Sequence, residues 1–300
     1  MPKTLPPISL ITLSRDNPDE LLKTVRSVFH QTLPPTAYVV VDSSSPHIAP
    51  LMRDIAEAGG AEYVWVKPEG IYPAMVASLD CVPEESYVWW INSSDRLAGT
   101  QSIHEVSHHL STRAIPASWL VGQLIHRRNS HHSLHNSGST GDQFITRLSS
   151  GRAGLPHPST IFWLPRLRDV SPYEDNMVVA SDYSTALRFA KHWGSPVMSP
   201  MTLSVHTHTG FSARHPLRNF AQKSRARWHA TTGRDRALEP LRTLLSATRA
   251  TTSLIKRRSS ATPPHTDTTF LLGGNSHFCA DNPVGPWPEC CNRVLEEPFP

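Results

Sequence analysis

The sequence predicts an α/β protein, a mostly parallel mixed sheet with helices on both faces. Three observations lead there. Apolar, β-branched runs of strand length alternate with segments of helical period from Ile8 to Ile91, which is how crossover-connected parallel strands read in a sequence. Two of the first four strands are followed by acidic residues, Asp42 and Asp95, where open α/β sheets keep their ligand crevice, beyond the C-terminal strand ends. The 300 residues are 38% hydrophobic and 18% charged, a mixture able to bury a core without disulfide or metal staples, and one that excludes global disorder.

The run Ile8-Ser9-Leu10-Ile11-Thr12-Leu13 is the first strand, ended by the polar turn Ser14-Arg15-Asp16. A helix follows. Asn17 stands where a cap is needed, Pro18 suits the first helical position, and Glu20 completes a capping box. Leu21, Leu22, Val25, Val28 and Phe29 then recur at helical spacing. Tyr38 to Val41 is the second strand, residues 46–58 a helix, Ala61 to Val66 the third strand, residues 71–79 a helix, and Tyr87 to Ile91 the fourth strand. Farther on, Tyr183 to His192 is amphipathic, with Ala186, Leu187, Phe189 and Ala190 on one face, and His206 and His208 alternate on a strand. No phosphate-gripping glycine loop occurs, so a bound nucleotide would be held by carboxylates and a metal.

The net charge of +4 hides an uneven distribution. Residues 210–258 carry twelve Lys and Arg against Asp235 and Glu239, a local +10 that leaves −6 elsewhere. Residues 213–258 are expected to be a basic helical arm, either a solvated face or a dock for anionic lipid, a polyanionic acceptor or nucleic acid. Residues 259–300 hold seven prolines among small polar residues and are expected to have little regular structure. Cys81, Cys279, Cys290 and Cys291 form neither a secreted disulfide framework nor the paired spacing of a zinc site. Seven histidines between His104 and His135 also lack zinc spacing and read as mostly exposed. No apolar stretch reaches the roughly 20 residues of a membrane span, and the N-terminus lacks the order of a secretory signal. A cytoplasmic protein is expected.

Several ordered pieces resemble a known family. Val39-Val40-Val41-Asp42-Ser43-Ser44-Ser45 is similar to its "IVVDGGS" and Gly70-Ile71-Tyr72-Pro73-Ala74-Met75 to "GIYDAMN". Trp90-Ile91-Asn92-Ser93-Ser94-Asp95-Arg96-Leu97 is similar to "FLNSGDxL", Pro156-His157-Pro158-Ser159-Thr160-Ile161-Phe162 to "HQxxF", and Ala180-Ser181-Asp182-Tyr183 to "ASDYD". With the first strand, the helix end Ser27-Val28 to Gln31-Thr32, and Thr209-Gly210-Phe211-Ser212, these lie in order along the chain, and the resemblance covers about residues 8–228. The chain thus resembles the inverting family 2 glycosyltransferases of the GT-A fold, especially the bacterial branch that builds exopolysaccharides and cell-surface glycans.

The resemblance implies a GT-A domain over residues 1–212. It also implies transfer of a sugar from a nucleotide-diphosphate donor, UDP-sugar favoured, to a hydroxyl of a glycan or lipid-linked acceptor. Asp182 would be the general base. Thr12, Asp42, Gly70, Tyr72, Asn92 and Asp95 would bind donor, and His157 and Ser181 would contact diphosphate or acceptor. Asp95 offers carboxylate oxygen to a divalent cation, Mn2+ or Mg2+, with one of His206 or His208 reaching the same ion. The basic arm would rest on the inner face of the membrane. Plainer readings stand beside these: a turn Asp at 42, a capped turn at Asn92 to Asp95, a helix cap at Asp182, a surface His157. Pro73, Val76, Ser44 and Ser184 depart from the family's pattern and motivate an alternative, a nucleotide-sugar-binding relative with impaired turnover. A nucleic-acid-directed protein is disfavoured, because Trp228 is the only aromatic among Arg225, Arg227, Arg234 and Arg236.

Overall fold

The structure is a computed structural model that describes residues 5–112, 116–128, 131–135, 138–173, 176–207 and 215–231, with Arg236, Ala237, Pro240 and Thr243 beyond them. The tail 259–300 and most of the arm beyond residue 231 lie outside the described residues.

The parallel half forms from the strands read in the sequence. β1 (Ile8–Ser14) lies between β2 (Ala37–Asp42) and β4 (Tyr87–Trp90), and β3 (Glu62–Trp65) adds outside β2, all parallel. Every residue of β1 is buried, because both faces are covered. Ile11, Leu13, Val39, Val41, Val88 and Trp90 face one core with α3 (Ile71–Ser78), while Leu10, Val40, Trp89 and Ile91 face the other with α1 (Pro18–Phe29) and α2 (Ala49–Ala58). The period of two sends alternate residues to opposite cores.

Asn17 occupies the N-cap of α1 but its side chain makes no capping bond. Glu20 has other work. It meets Lys23 at 2.6 Å and the buried Arg96 at 3.9 Å, so its carboxylate is drawn toward two cations rather than back to the cap.

Past β4 the polarity reverses. β8 (Thr160–Trp163) runs antiparallel between β4 and β6 (Trp119–Arg128), β6 pairs in parallel with β9 (Val197–Thr207), and the two-residue β5 (Arg96–Leu97) closes that edge antiparallel to β9. β7 (His131–His135) pairs β6, giving the order β3-β2-β1-β4-β8-β6-β9-β5 among the described residues. Between these strands lie α4 (Ser102–Ser111), α5 (Gly141–Ser149), α6 (Leu164–Arg168) and α7 (Ser181–Trp193). Trp119 anchors this half: its ring stacks on Phe162 at 5.5 Å and meets Phe189 edge-on at 5.5 Å. A fully buried side chain of this size contributes roughly 1.5–3 kcal/mol. The last described helix, α8 (Pro216–Ala230), packs on α7. No helix among the described residues is long and apolar enough to cross a membrane.

Candidate active site

The strand ends gather the candidate residues. Asp42 closes β2 with no solvent exposure; its Oδ1 accepts from the Ser44 hydroxyl at 2.6 Å and its Oδ2 from the Tyr63 hydroxyl at 2.9 Å. Burial pushes its pKa up, and the two hydroxyl donors oppose that. Thr12 is equally buried, but its hydroxyl donates to the Ile91 carbonyl at 2.8 Å and meets Tyr38 at 3.2 Å. That hydroxyl joins β1 to the end of β4.

The turn after β4 is shaped by backbone bonds, Ser93 N–H to Leu13 at 2.9 Å and Asp95 N–H to Asn92 at 2.8 Å, with Ser94 at φ 87°. It leaves Asn92 Oδ1 and Ser93 Oγ buried without a hydrogen-bond partner among the described residues. Such groups are costly unless something satisfies them. The pairing of Arg96 with Val205 then sets Asp95 beside His206. His206 Nδ1 lies 2.6 Å from Asp95 Oδ1, and Asp95 is 3% exposed. Burial alone would lower the His206 pKa, but the charge and hydrogen bond of Asp95 outweigh it and the net shift is upward. His208 lies outside the described residues.

A second pair forms between helix starts. Gly70, at φ 125° and ψ 169°, turns the chain into α3, and Tyr72 in its first turn donates its hydroxyl to Asp182 Oδ1 at 3.1 Å. Ser181 and Asp182 open α7; Ser181 is fully buried, and the backbone N–H groups of both also reach the Tyr72 oxygen. The N-cap of α7 is Ala180, so Asp182 is a first-turn residue and not the cap. Burial, then the Asp182 charge, raises the Tyr72 pKa.

His157 links the two pairs. A short 3-10 turn over residues 157–159, fixed by Trp89 Nε1 donating to the Pro158 carbonyl at 2.8 Å, lays its ring against Trp90 at 5.8 Å. Burial lowers its pKa, Asp182 and Asp95 oppose this, and His206 adds to it. All three charged neighbours are therefore within electrostatic reach of one imidazole, whose Nε2 has no partner among the described residues. Three residues of this cluster were not among the site candidates read from the sequence. Tyr173 stacks on Tyr72 at 5.8 Å and meets Trp90 edge-on at 5.6 Å. Lys223 of α8 lies near Asp182. Trp90 reads in sequence as strand core alone.

No group of three or more His, Cys, Asp or Glu among the described residues is arranged around a common ion position. The donors still suit a divalent cation: Asp95 supplies a hard oxygen, His206 a nitrogen once its proton leaves, and Asn92 Oδ1 an unpartnered carbonyl in the same turn.

No family model matches the chain, and no curated protein matches it by sequence. Solved structures do. S. aureus TarS 1-349 in complex with UDP is similar at TM-score 0.59 and 13% identity, over 79% of this chain and 69% of that one. The mannosyltransferase PcManGT from Pyrobaculum calidifontis, in complex with GDP-Man and Mn2+, gives 0.54 and 16% over 88% and 78%. Glucosyl-3-phosphoglycerate synthase from Mycobacterium tuberculosis, with Mg2+ and UDP, gives 0.53 and 13% over 75% and 79%. Identities this low speak for architecture: the chain has the GT-A fold.

Proposed function

We propose that the protein is a glycosyltransferase that moves a sugar, with inversion, from a nucleotide-diphosphate donor to a hydroxyl of a glycan or lipid-linked acceptor. The observation that carries this reading is the convergence of Asp95–His206 and Tyr72–Asp182 on His157, from separate elements of a GT-A fold. Similar folds hold UDP in TarS and GDP-Man with Mn2+ in PcManGT; a UDP-sugar is the favoured donor.

Asp182 is the base. Its carboxylate is held on one oxygen by Tyr72, leaving the other to take the acceptor proton. Asp42, with both oxygens held by hydroxyl donors, is set to accept from the nucleotide base if Ser44 or Tyr63 yields a bond. Asp95, with His206 and Asn92, would hold Mn2+ or Mg2+, which when bound would neutralise charge on the leaving diphosphate. Gly70, Ser181 and His157 line the donor and acceptor between these groups.

The departures from the family pattern fit turnover. Pro73 and Val76 are exposed on α3 whereas Tyr72 is buried, and Pro73 falls in the first turn, where a missing N–H does little harm. Ser44 donates to Asp42, and Ser184 accepts from Arg188 at 3.0 Å. Peripheral membrane contact would rest on Arg218 and Arg225, which are exposed on α8, whereas Arg227 is buried and Lys223 half-buried.

The test is a panel of UDP-, GDP- and dTDP-sugars with and without Mn2+, read by thermal shift and by nucleotide release. One nucleotide class should stabilise the protein in a metal-dependent way. No stabilisation by any of them removes the proposal.

A further inference from the structure

The basic run that begins in α8 turns inward at one place. Gln222 Oε1 accepts the N–H groups of Val179 at 2.9 Å and Ala180 at 3.2 Å, pinning α8 to the segment that leads into Asp182. On the next residue, the Lys223 ammonium lies 5.5 Å from the centre of the Tyr183 ring. Its charged neighbours come from three sides: Asp182 on α7, Arg227 on its own helix and His135 on β7. It makes no hydrogen bond or ion pair with any described residue, and Asp182 stays beyond ion-pair distance. An ammonium has three donors and no acceptor; Lys223 is half-buried, held over the Tyr183 ring, and no described group takes its donors. Withdrawal lowers its pKa, Asp182 raises it, and Arg227 lowers it again.

Position narrows what could satisfy it. The metal ligands Asp95 and His206 mark the diphosphate side, while Lys223 is beside Asp182, the side from which the acceptor hydroxyl must come. We infer that Lys223 binds an anionic group, a carboxylate or a phosphate, carried by the acceptor close to the hydroxyl that Asp182 deprotonates. This rests on the assignment of Asp182 as base. An acceptor of this kind needs a cation there, because Asp182 would otherwise repel it.

The test uses the full chain saturated with UDP and Mg2+. Inorganic phosphate and glucuronate are titrated by calorimetry into wild type, Lys223→Met and Lys223→Arg. Both anions should bind wild type, at least tenfold more weakly Lys223→Met, and Lys223→Arg should recover most of the loss, with UDP affinity within twofold throughout. Equal anion binding by wild type and Lys223→Met, or none by wild type, overturns the inference. So does a loss of UDP affinity as large as that of the anions, which would make the donor diphosphate the true partner. Melting gives a further readout: Lys223→Met should melt close to wild type, since no described residue bonds its ammonium and methionine keeps the stem packed on Tyr183. A lower melting temperature with unchanged anion binding would make Lys223 a counter-ion of Asp182 and also overturns it. Turnover of Asp182→Asn separates the two readings, because its persistence removes the base assignment while anion binding still reports on Lys223.

Discussion

The Tyr72 hydroxyl donates to Asp182 Oδ1 at 3.1 Å, joining the first turns of two helices 110 residues apart in the chain. Both side chains stand at helix N-termini, where a carboxylate is favoured. The bond therefore orients a carboxylate in the first turn of one helix from the first turn of another.

Replacing Asp182 with Asn keeps the shape and the tyrosine contact but removes the proton acceptor. Transfer should fall by about 10²–10⁴-fold while UDP affinity is kept. Unchanged turnover in a coupled nucleotide-release assay would remove the base assignment.

Tyr72→Phe keeps the stack on Tyr173 and loses only the hydroxyl. A hydrogen bond to a charged group is worth about 1.5–3 kcal/mol, so kcat is expected to drop roughly tenfold or more, with donor KM little changed. A rise in donor KM at constant kcat would show that Tyr72 acts on the donor instead.

Asp95→Ala and His206→Ala should both abolish stabilisation by Mn2+ with UDP, as read by thermal shift. Full metal-dependent stabilisation in either variant would place the ion elsewhere.

Gly70 takes φ 125°, and a methyl group added there would meet only Pro73 Cδ, at 3.6 Å. The cost of Gly70→Ala is therefore backbone strain and not collision, of order 1–3 kcal/mol. Urea melts that superimpose on wild type would contradict this.

Burial lowers the His135 pKa below its ordinary 6.5, aided by the charges of Arg147 and Lys223, while a backbone hydrogen bond at Gly154 opposes. A depressed pKa means that its contribution is present above pH 6.5 and is lost as pH falls through the folded value. His135→Gln should flatten the acid limb of the stability profile between neutral pH and pH 5, measured on the metal-free protein. An identical limb in the variant would assign it to other groups.

The parallel half was legible because its signals are local. β1 to β4 and α1 follow from apolar period and turn residues, although the cap of α1 was not, since Glu20 is drawn to Lys23 and to an arginine far along the chain. The mixed half was not legible. Nothing in Trp119 to Arg128 says that it will pair with β7, β8 and β9 at once. Among the site residues, the sequence set Asp95 with one of His206 or His208 as candidates for one ion, and the contact between Asp95 and His206 depends on a two-residue strand. Tyr173, at φ 60° in a loop, and Lys223, one cation in a basic run, reach the cluster only through long-range packing.

The two N–H groups held by Gln222 give α8 a mechanical consequence. The peptide entering Asp182 and the helix bearing Lys223 are stapled by a single side-chain oxygen, so neither can slide past the other without breaking both bonds. A chain trimmed before Gln222 would lose this staple along with the charge of Lys223, even though all the motif residues would remain.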